Sequence, residues 1–188
     1  METFVRPARH RSNGVDKSRE WMKVRVALTP PLGKGLVALK DLDKHEEIFV
    51  VQGRVVSDTY GPDYGVGPAW LAIGHARWLA PLHSNPWRFI NHSCRPSAGL
   101  RGRNRVIALR PIARGEHITI DYATTEADPF WRMPCRCGAR ECRRVIGGVL
   151  SLPAEVFKKY QTIIPAALRQ FRARALHPAL SLRGRKKD

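Results

Sequence analysis

The sequence predicts a mainly-β domain closed by short C-terminal helices. Three observations carry that expectation: short β-branched runs fill the first two thirds, turn residues recur every ten residues or so, and helical spacing begins only after Ser151. Val24, Val26 and Leu28 alternate with charged or small residues. Val37 and Leu39 follow the glycine turn Gly33-Lys34-Gly35, and Ile48 to Val51 with Val55 and Val56 form further runs, punctuated by Gly53. Residues 58–69, rich in Gly, Pro, Asp and Tyr, read as a loop. Trp70 to Leu79 predicts a hairpin turning near Gly74 and His75. Arg105 to Leu109 and His117 to Tyr122 predict two strands joined by Pro111 to Gly115. Pro153 opens a helix at its first turn, where a missing N–H costs nothing, with Val156, Phe157 and Tyr160 at helical spacing. Pro165 starts a second helix with Leu168, Phe171 and Ala175 on one face. No internal repeat is visible.

A chain of 188 residues, 43% hydrophobic, suits one domain with short extensions. No stretch approaches about 20 consecutive apolar residues, so no membrane span is expected. Met1 to Glu20 is polar and Arg-rich without the apolar core of a secretory leader, and an intracellular protein is expected. The net charge is +17. Residues 1–25 carry seven Lys/Arg against three Asp/Glu, and residues 169–188 seven against one. Such ends attract nucleic acid or an acidic assembly; the bland alternative is a pair of solvated tails.

The four cysteines are Cys94, Cys135, Cys137 and Cys142. Thiols one residue apart rarely bond to each other, but both reach one tetrahedral ion, and Gly138 permits the sharp turn between ligands. Arg136, Arg140, Arg143 and Arg144 crowd the thiols and are expected to lower their pKa values. With Cys94 as the fourth ligand the site is closed, which marks a structural zinc. Free buried cysteines or a redox pair are the alternatives.

The densest constellation is Arg88-Phe89-Ile90-Asn91-His92-Ser93-Cys94-Arg95-Pro96, followed by Gly115-Glu116-His117-Ile118-Thr119-Ile120-Asp121-Tyr122 and then Cys-x-Cys-x4-Cys. Alone, each reads as a hydrogen-bonded turn, a strand end or a metal knuckle. In this order they resemble the SET-domain family of protein-lysine methyltransferases, over about residues 23–148. The cysteine motif is similar to that family's post-SET zinc motif, and Gly33-Lys34-Gly35-Leu36 to its early glycine loop. The resemblance implies a β-clip-like fold of small curved sheets, in which the Asn-His segment passes under the Asp-Tyr region in a knot-like threading.

It further implies S-adenosyl-L-methionine as methyl donor and a protein lysine as acceptor, in a histone or another basic nucleic-acid-associated protein. Gly33, Lys34, Gly35, Arg88, Phe89, Asn91, His92, Tyr122 and Trp131 would meet the cofactor, with Phe130 an alternative to Trp131. Tyr122 would be the catalytic tyrosine. A second channel tyrosine has three candidates, Tyr60, Tyr64 and Trp70, with Tyr64 preferred. Zn2+ would sit on Cys94, Cys135, Cys137 and Cys142. Free lysine has a pKa near about 10.4, and the amine must be neutral to attack; burial beside a sulfonium lowers that value. Two departures stand out: Ser97 replaces a frequent Asn after Pro96 and is expected to loosen that turn, and His117 replaces an acidic residue at the surface.

The expected organisation is a basic arm over 1–22, the SET domain over 23–126, the zinc segment over 127–148, helices over 149–178 and a basic tail over 179–188. The expected location is cytoplasmic in a bacterium and nuclear or chromosomal in a eukaryote. The competing reading is a catalytically inactive, zinc-stabilised module that binds protein or nucleic acid.

Overall fold

A computed structural model describes residues 23–30, 33–57, 70–74 and 77–176. The expected arm, the loop at 58–69 and the basic tail lie outside the described residues, as do His75, Tyr60 and Tyr64. The described chain forms strands β1 (Val24–Leu28), β2 (Lys34–Ala38), β3 (Glu47–Val50), β4 (Gly53–Ser57), β5 (Leu71–Gly74), β6 (Arg77–Pro81), β7 (Asn91–His92), β8 (Ala98–Arg101), β9 (Arg105–Ala108), β10 (His117–Ile120), β11 (Arg132–Pro134) and β12 (Val145–Gly147). Helices α1 (Ala154–Tyr160) and α2 (Ala166–Leu176) follow.

Four small sheets result, in the orders β1-β2-β10-β7, β3-β9-β8, β4-β6-β5 and β11-β12. The mainly-β class with C-terminal helices is thus as the sequence predicted. The strands read from β-branched runs are present, and β5 and β6 form the expected hairpin. The strands at Arg105–Ala108 and His117–Ile120, however, do not pair with each other: they lie in different sheets. β1 is an edge strand, and its alternation does not bury Val26 (41% exposed) or Leu28 (77%).

The main core joins three sheets through Leu36, Ile48, Val51, Leu71, Leu100, Val106, Ile118 and Ile120. Each such side chain removed from water contributes about 1.5–3 kcal/mol before entropy is counted. A second core seats the helical segment through Ile107, Val149, Tyr160, Ile163, Ile164 and Leu168. Gly99 in β8 is what admits it: a Cβ there would stand 2.5 Å from Ile163 Cδ1.

The buried face of α2 differs from the predicted one. Leu168 and Arg172 point inward, whereas Phe171 is 37% exposed and Ala175 is also exposed. Arg172 packs its guanidinium 4.7 Å from the Phe157 ring and donates to Val149 O at 2.5 Å, so its head is satisfied without a carboxylate. Among the described residues, no helix is long and apolar enough to cross a membrane.

At the turn into β3, Glu46 receives Lys23 Nζ at 2.9 Å and Lys40 Nζ at 3.0 Å. The hydrogen bond from Lys23, joined by Asp43 N–H and Lys40, holds its carboxyl down to about 2 against partial desolvation. A depressed folded-state pKa gives stability that is present at neutral pH and lost as pH falls from about 4.5 to about 2. Because the pair is partly solvated, the contribution is about 1 kcal/mol. Denaturant titrations are expected to show Glu46→Gln less stable than wild type by that amount at pH 7, with the gap closing toward pH 3.

Candidate active site and metal centre

The Asn-His segment enters the core from a 3-10 turn at Pro86–Phe89. Asn85 caps that turn, accepting Trp87 N–H at 3.2 Å while its amide donates to Val50 O at 3.1 Å. Trp87 is buried in the core. The two residues of β7 then pair in parallel with β10, Asn91 beside Thr119 and His92 beside Ile120. Ser97, fully buried, reinforces the junction: its hydroxyl donates to His117 O at 3.1 Å and accepts Thr119 N–H at 3.0 Å. Far from loosening the turn, the serine stitches the motif to β10. His117 itself is exposed, as expected.

Asn91 reaches the glycine loop. Its Nδ2 donates to Thr29 Oγ1 and to Lys34 O, both at 3.2 Å. Gly35 makes room for this, since a Cβ there would lie 2.6 Å from Asn91 Nδ2. Thr29, only 2% exposed, also donates to Gly33 O at 3.0 Å and so shapes the loop. Sequence reasoning missed Thr29, because one threonine at a strand end carries no signal of its own.

Tyr122 stands on the other side of the parallel pair. Its hydroxyl donates to Ile90 O at 2.7 Å, and its backbone N–H donates to His92 Nδ1 at 3.2 Å. Burial pushes the phenol up to about 12, so it keeps its proton at neutral pH. The His92 and Tyr122 rings lie 5.3 Å apart, and Trp131 lies 6.5 Å from Tyr122. Burial, aided by Arg143, holds the His92 imidazole down to about 4, so it is neutral at pH 7. Its 3.7 Å approach to Asp121 is therefore not an ion pair.

The loop between β11 and β12 carries three cysteines back to Cys94. Cys94 Sγ and Cys135 Sγ are 3.8 Å apart. A disulfide needs about 2.05 Å, whereas the edge of a tetrahedral zinc site with bonds of about 2.3 Å is about 3.8 Å. Cys94 N–H donates to Cys137 Sγ and Arg143 N–H to Cys94 Sγ, both at 3.4 Å. Cys142 Sγ lies 3.6 Å from Cys135 O and also meets the Cys135 and Cys137 thiols.

The donor atoms of His92, Cys94, Cys135 and Cys137 all lie within 4.8 Å of one another. His92 is nevertheless a poor fourth ligand. Its Nδ1 accepts a backbone N–H, so the neutral ring carries its proton on Nε2, which sits 3.4 Å from Cys94 Sγ. On that tautomer it donates to the sulfur, while Cys142, the fourth ligand expected from the sequence, is not part of this cluster of donor atoms. Burial raises the Cys94 and Cys135 thiols. Burial also opposes ionisation of Cys137, but the N–H groups of Cys94 and Ala139 hold that thiol down to about 7. Of the flanking arginines, Arg143 is the one acting on Cys94. A divalent cation that displaces the thiol protons fits this donor set.

Arg143 also forms a buried ion pair. Its Nη2 lies 2.6 Å from Oδ1 of Asp121, a fully buried side chain that caps the turn at Tyr122–Thr124 by accepting Ala123 N–H at 3.1 Å. Burial pushes the Asp121 carboxyl up, against the pull of Arg143.

Between these parts lies a cavity of about 300 Å³, with Asn91, His92 and Tyr122 on one wall and Met133, Pro134, Cys135, Arg136 and Cys137 on the other. Gly33, Lys34 and Gly35 do not line it; Lys34 O and Gly35 touch the Asn91 amide, which does. Arg88 is exposed, and Phe89 packs against the core with Lys34 Nζ 6.0 Å over its ring; neither lines the cavity. Trp131 packs beside the cysteines, whereas Phe130 is 83% exposed.

Residues 33–123 match the SET domain family, and the mainly-β sheets agree with that fold: the chain carries a SET domain. Among curated proteins it is similar to histone-lysine N-methyltransferase 2B of Homo sapiens, 32% identical over 61% of this chain and 5% of that protein. It is also similar to two H3 lysine-36 specific histone-lysine N-methyltransferases. The Candida albicans protein is 30% identical over 70% of this chain and 17% of its own length. The Emericella nidulans protein is 33% identical over 69% and 15%. The chain thus spans less than a fifth of these relatives.

Elemental analysis of protein purified under reducing conditions is expected to return about one zinc per chain. Cys135→Ser is expected to abolish stoichiometric zinc, whereas His92→Gln should retain it. Loss of zinc in His92→Gln would make the imidazole a ligand.

Proposed function

We propose that the chain is an S-adenosyl-L-methionine-dependent methyltransferase acting on the side-chain amine of protein lysine, with one structural zinc on Cys94, Cys135, Cys137 and Cys142. The observation that carries this is the cavity walled by Asn91, His92 and Tyr122 and roofed by the cysteine-bearing loop. Its volume lies at the small end of the range for small-molecule sites. Its amide, its aromatic ring and the apolar surface of Met133 and Pro134 suit a nucleoside with a short polar tail. When bound, the cofactor supplies an electrophilic methyl group on a sulfonium.

The residues of the chain hold and align. Gly33, Lys34 and Gly35, with Asn91 and His92, form the cofactor side, flanked by Arg88 and Phe89, with Trp131 as a wall. Tyr122 cannot serve as a base at neutral pH: its pKa is about 12 and its proton is committed to Ile90 O. The lysine proton therefore leaves before transfer, favoured by burial next to a cation. Tyr122 and nearby carbonyls then orient the neutral amine, and alignment supplies most of the rate gain. Tyr64 is the proposed second channel tyrosine. Residues 23–126 carry the chemistry in this reading, 127–148 the zinc clip, and 149–178 brace both.

The relatives' names make a histone the first substrate class to test, with other basic nucleic-acid-associated proteins next, and a nuclear or chromosomal setting follows in a eukaryote. With a net charge of +17, the enzyme repels a bare basic peptide. We therefore place the encounter on nucleic acid, with the basic ends touching phosphates.

Incubation with methyl-labelled cofactor and histones or a pool of basic proteins is expected to label lysine. Tyr122→Phe should lower kcat by roughly 100-fold with cofactor affinity little changed. No cofactor binding and no transfer by zinc-loaded protein would refute the reading. Raising salt from roughly 50 to 200 mM should cut activity on nucleic-acid-bound substrate by about tenfold or more and activity on free peptide far less. Equal sensitivity would remove nucleic acid from the account.

A further inference from the structure

Two clamps join the β11–β12 loop to the body of the fold, and they fix different distances. The sulfur cluster holds the loop to Cys94. The Asp121–Arg143 pair holds it to the residue immediately before Tyr122. Arg143 takes part in both, through its N–H to Cys94 Sγ at 3.4 Å and its Nη2 to Asp121 Oδ1 at 2.6 Å. The Asp121 side chain is fully buried and that of Arg143 is 17% exposed. The same Oδ1 accepts Ala123 N–H, so the carboxylate sets the turn that carries Tyr122 as well as the loop facing it. Asp121 Oδ2 and Arg143 Nε are buried and have no partner among the described residues. A pair buried with atoms left over is a poor device for stability alone, since a buried ion pair barely repays its desolvation. Its value lies in fixing a geometry.

We propose that Asp121 and Arg143 are positioning residues, a latch that sets the width of the cavity between Tyr122 and the Pro134–Cys137 roof in addition to the zinc clamp. The inference deepens the methyltransferase reading and rests on it for the identity of the ligand. Arg143, unlike Arg136, Arg140 and Arg144, then acts through Tyr122 and the roof rather than on a partner in solution. Loss of the latch lets the roof lift about its sulfur anchor, so the ligand is held less well while the reacting groups remain present.

The test uses zinc-loaded full-length protein. Arg143→Gln removes the pair, and the double variant Asp121→Asn with Arg143→Gln removes both charges, so that no lone buried charge unfolds the chain. Zinc content is expected to stay at wild-type level. Hydrogen exchange of residues 131–147 without ligand should accelerate at least tenfold relative to β2 and β10. Affinity for S-adenosylhomocysteine should fall at least tenfold, with the cofactor KM rising more than kcat falls. Arg143→Lys, which keeps the charge but not the planar fork, should recover only part of the affinity. Unchanged exchange at 131–147 in the double variant overturns the latch, and so does loss of zinc there, which would make Arg143 a support of the metal site. Failure of the wild type to bind S-adenosylhomocysteine refutes the methyltransferase reading instead, and the exchange measurement still decides the latch.

Discussion

The parallel pairing of Asn91 with Thr119 and of His92 with Ile120 is the contact on which the rest of the site depends. Two residues of ladder are little by themselves. They hold because buried Ile118 and Ile120 anchor β10 in the main core and the Ser97 hydroxyl bridges to His117 and Thr119. Once the register is set, the chain direction does the remainder. Asn91 faces the glycine loop, His92 meets the backbone of Tyr122, and Cys94 emerges where the late cysteines arrive. A slip of one residue would turn the imidazole and the amide to opposite faces.

From that register follows a division of labour among polar groups. Three buried ones at the site have specific partners: the Tyr122 proton goes to Ile90 O, the His92 Nδ1 lone pair to Tyr122 N–H, and the Thr29 hydroxyl to Gly33 O. Side chains whose hydrogen bonds are already assigned do not reorganise when a ligand arrives, which is the physical meaning of preorganisation.

Much of this was legible in the sequence, and the limits have physical causes. The strands at Val24, Lys34 and His117 show in local β-branched patterning, and the cysteine knuckle shows because its spacing is local. β8 was missed because Gly99 and Ala98 replace the residues that advertise a strand, and β11 and β12 because three residues carry no period. Sheet partners are non-local, so nothing in the run from Arg105 to Tyr122 tells that its two strands part company. The inward face of α2 was misjudged because Arg172, charged on paper, buries its stem and head against Phe157 and Val149. Within the site, Asn91, His92 and Tyr122 stood out through motif order, while Thr29 and Arg143 did not. Four arginines flank the cysteines, and only tertiary structure tells which one faces a carboxylate.

The contact between Gly99 and Ile163 bears on how this molecule is partitioned. A hydrogen in place of a methyl group lets the helical stretch sink against β8, and Ile107 of the neighbouring strand shares its cluster. The helical segment that closes the described chain is thus co-folded rather than appended. Dissection at Ser151 would not yield two autonomous halves but a β-assembly with a raw apolar flank and a helical fragment with nowhere to fold.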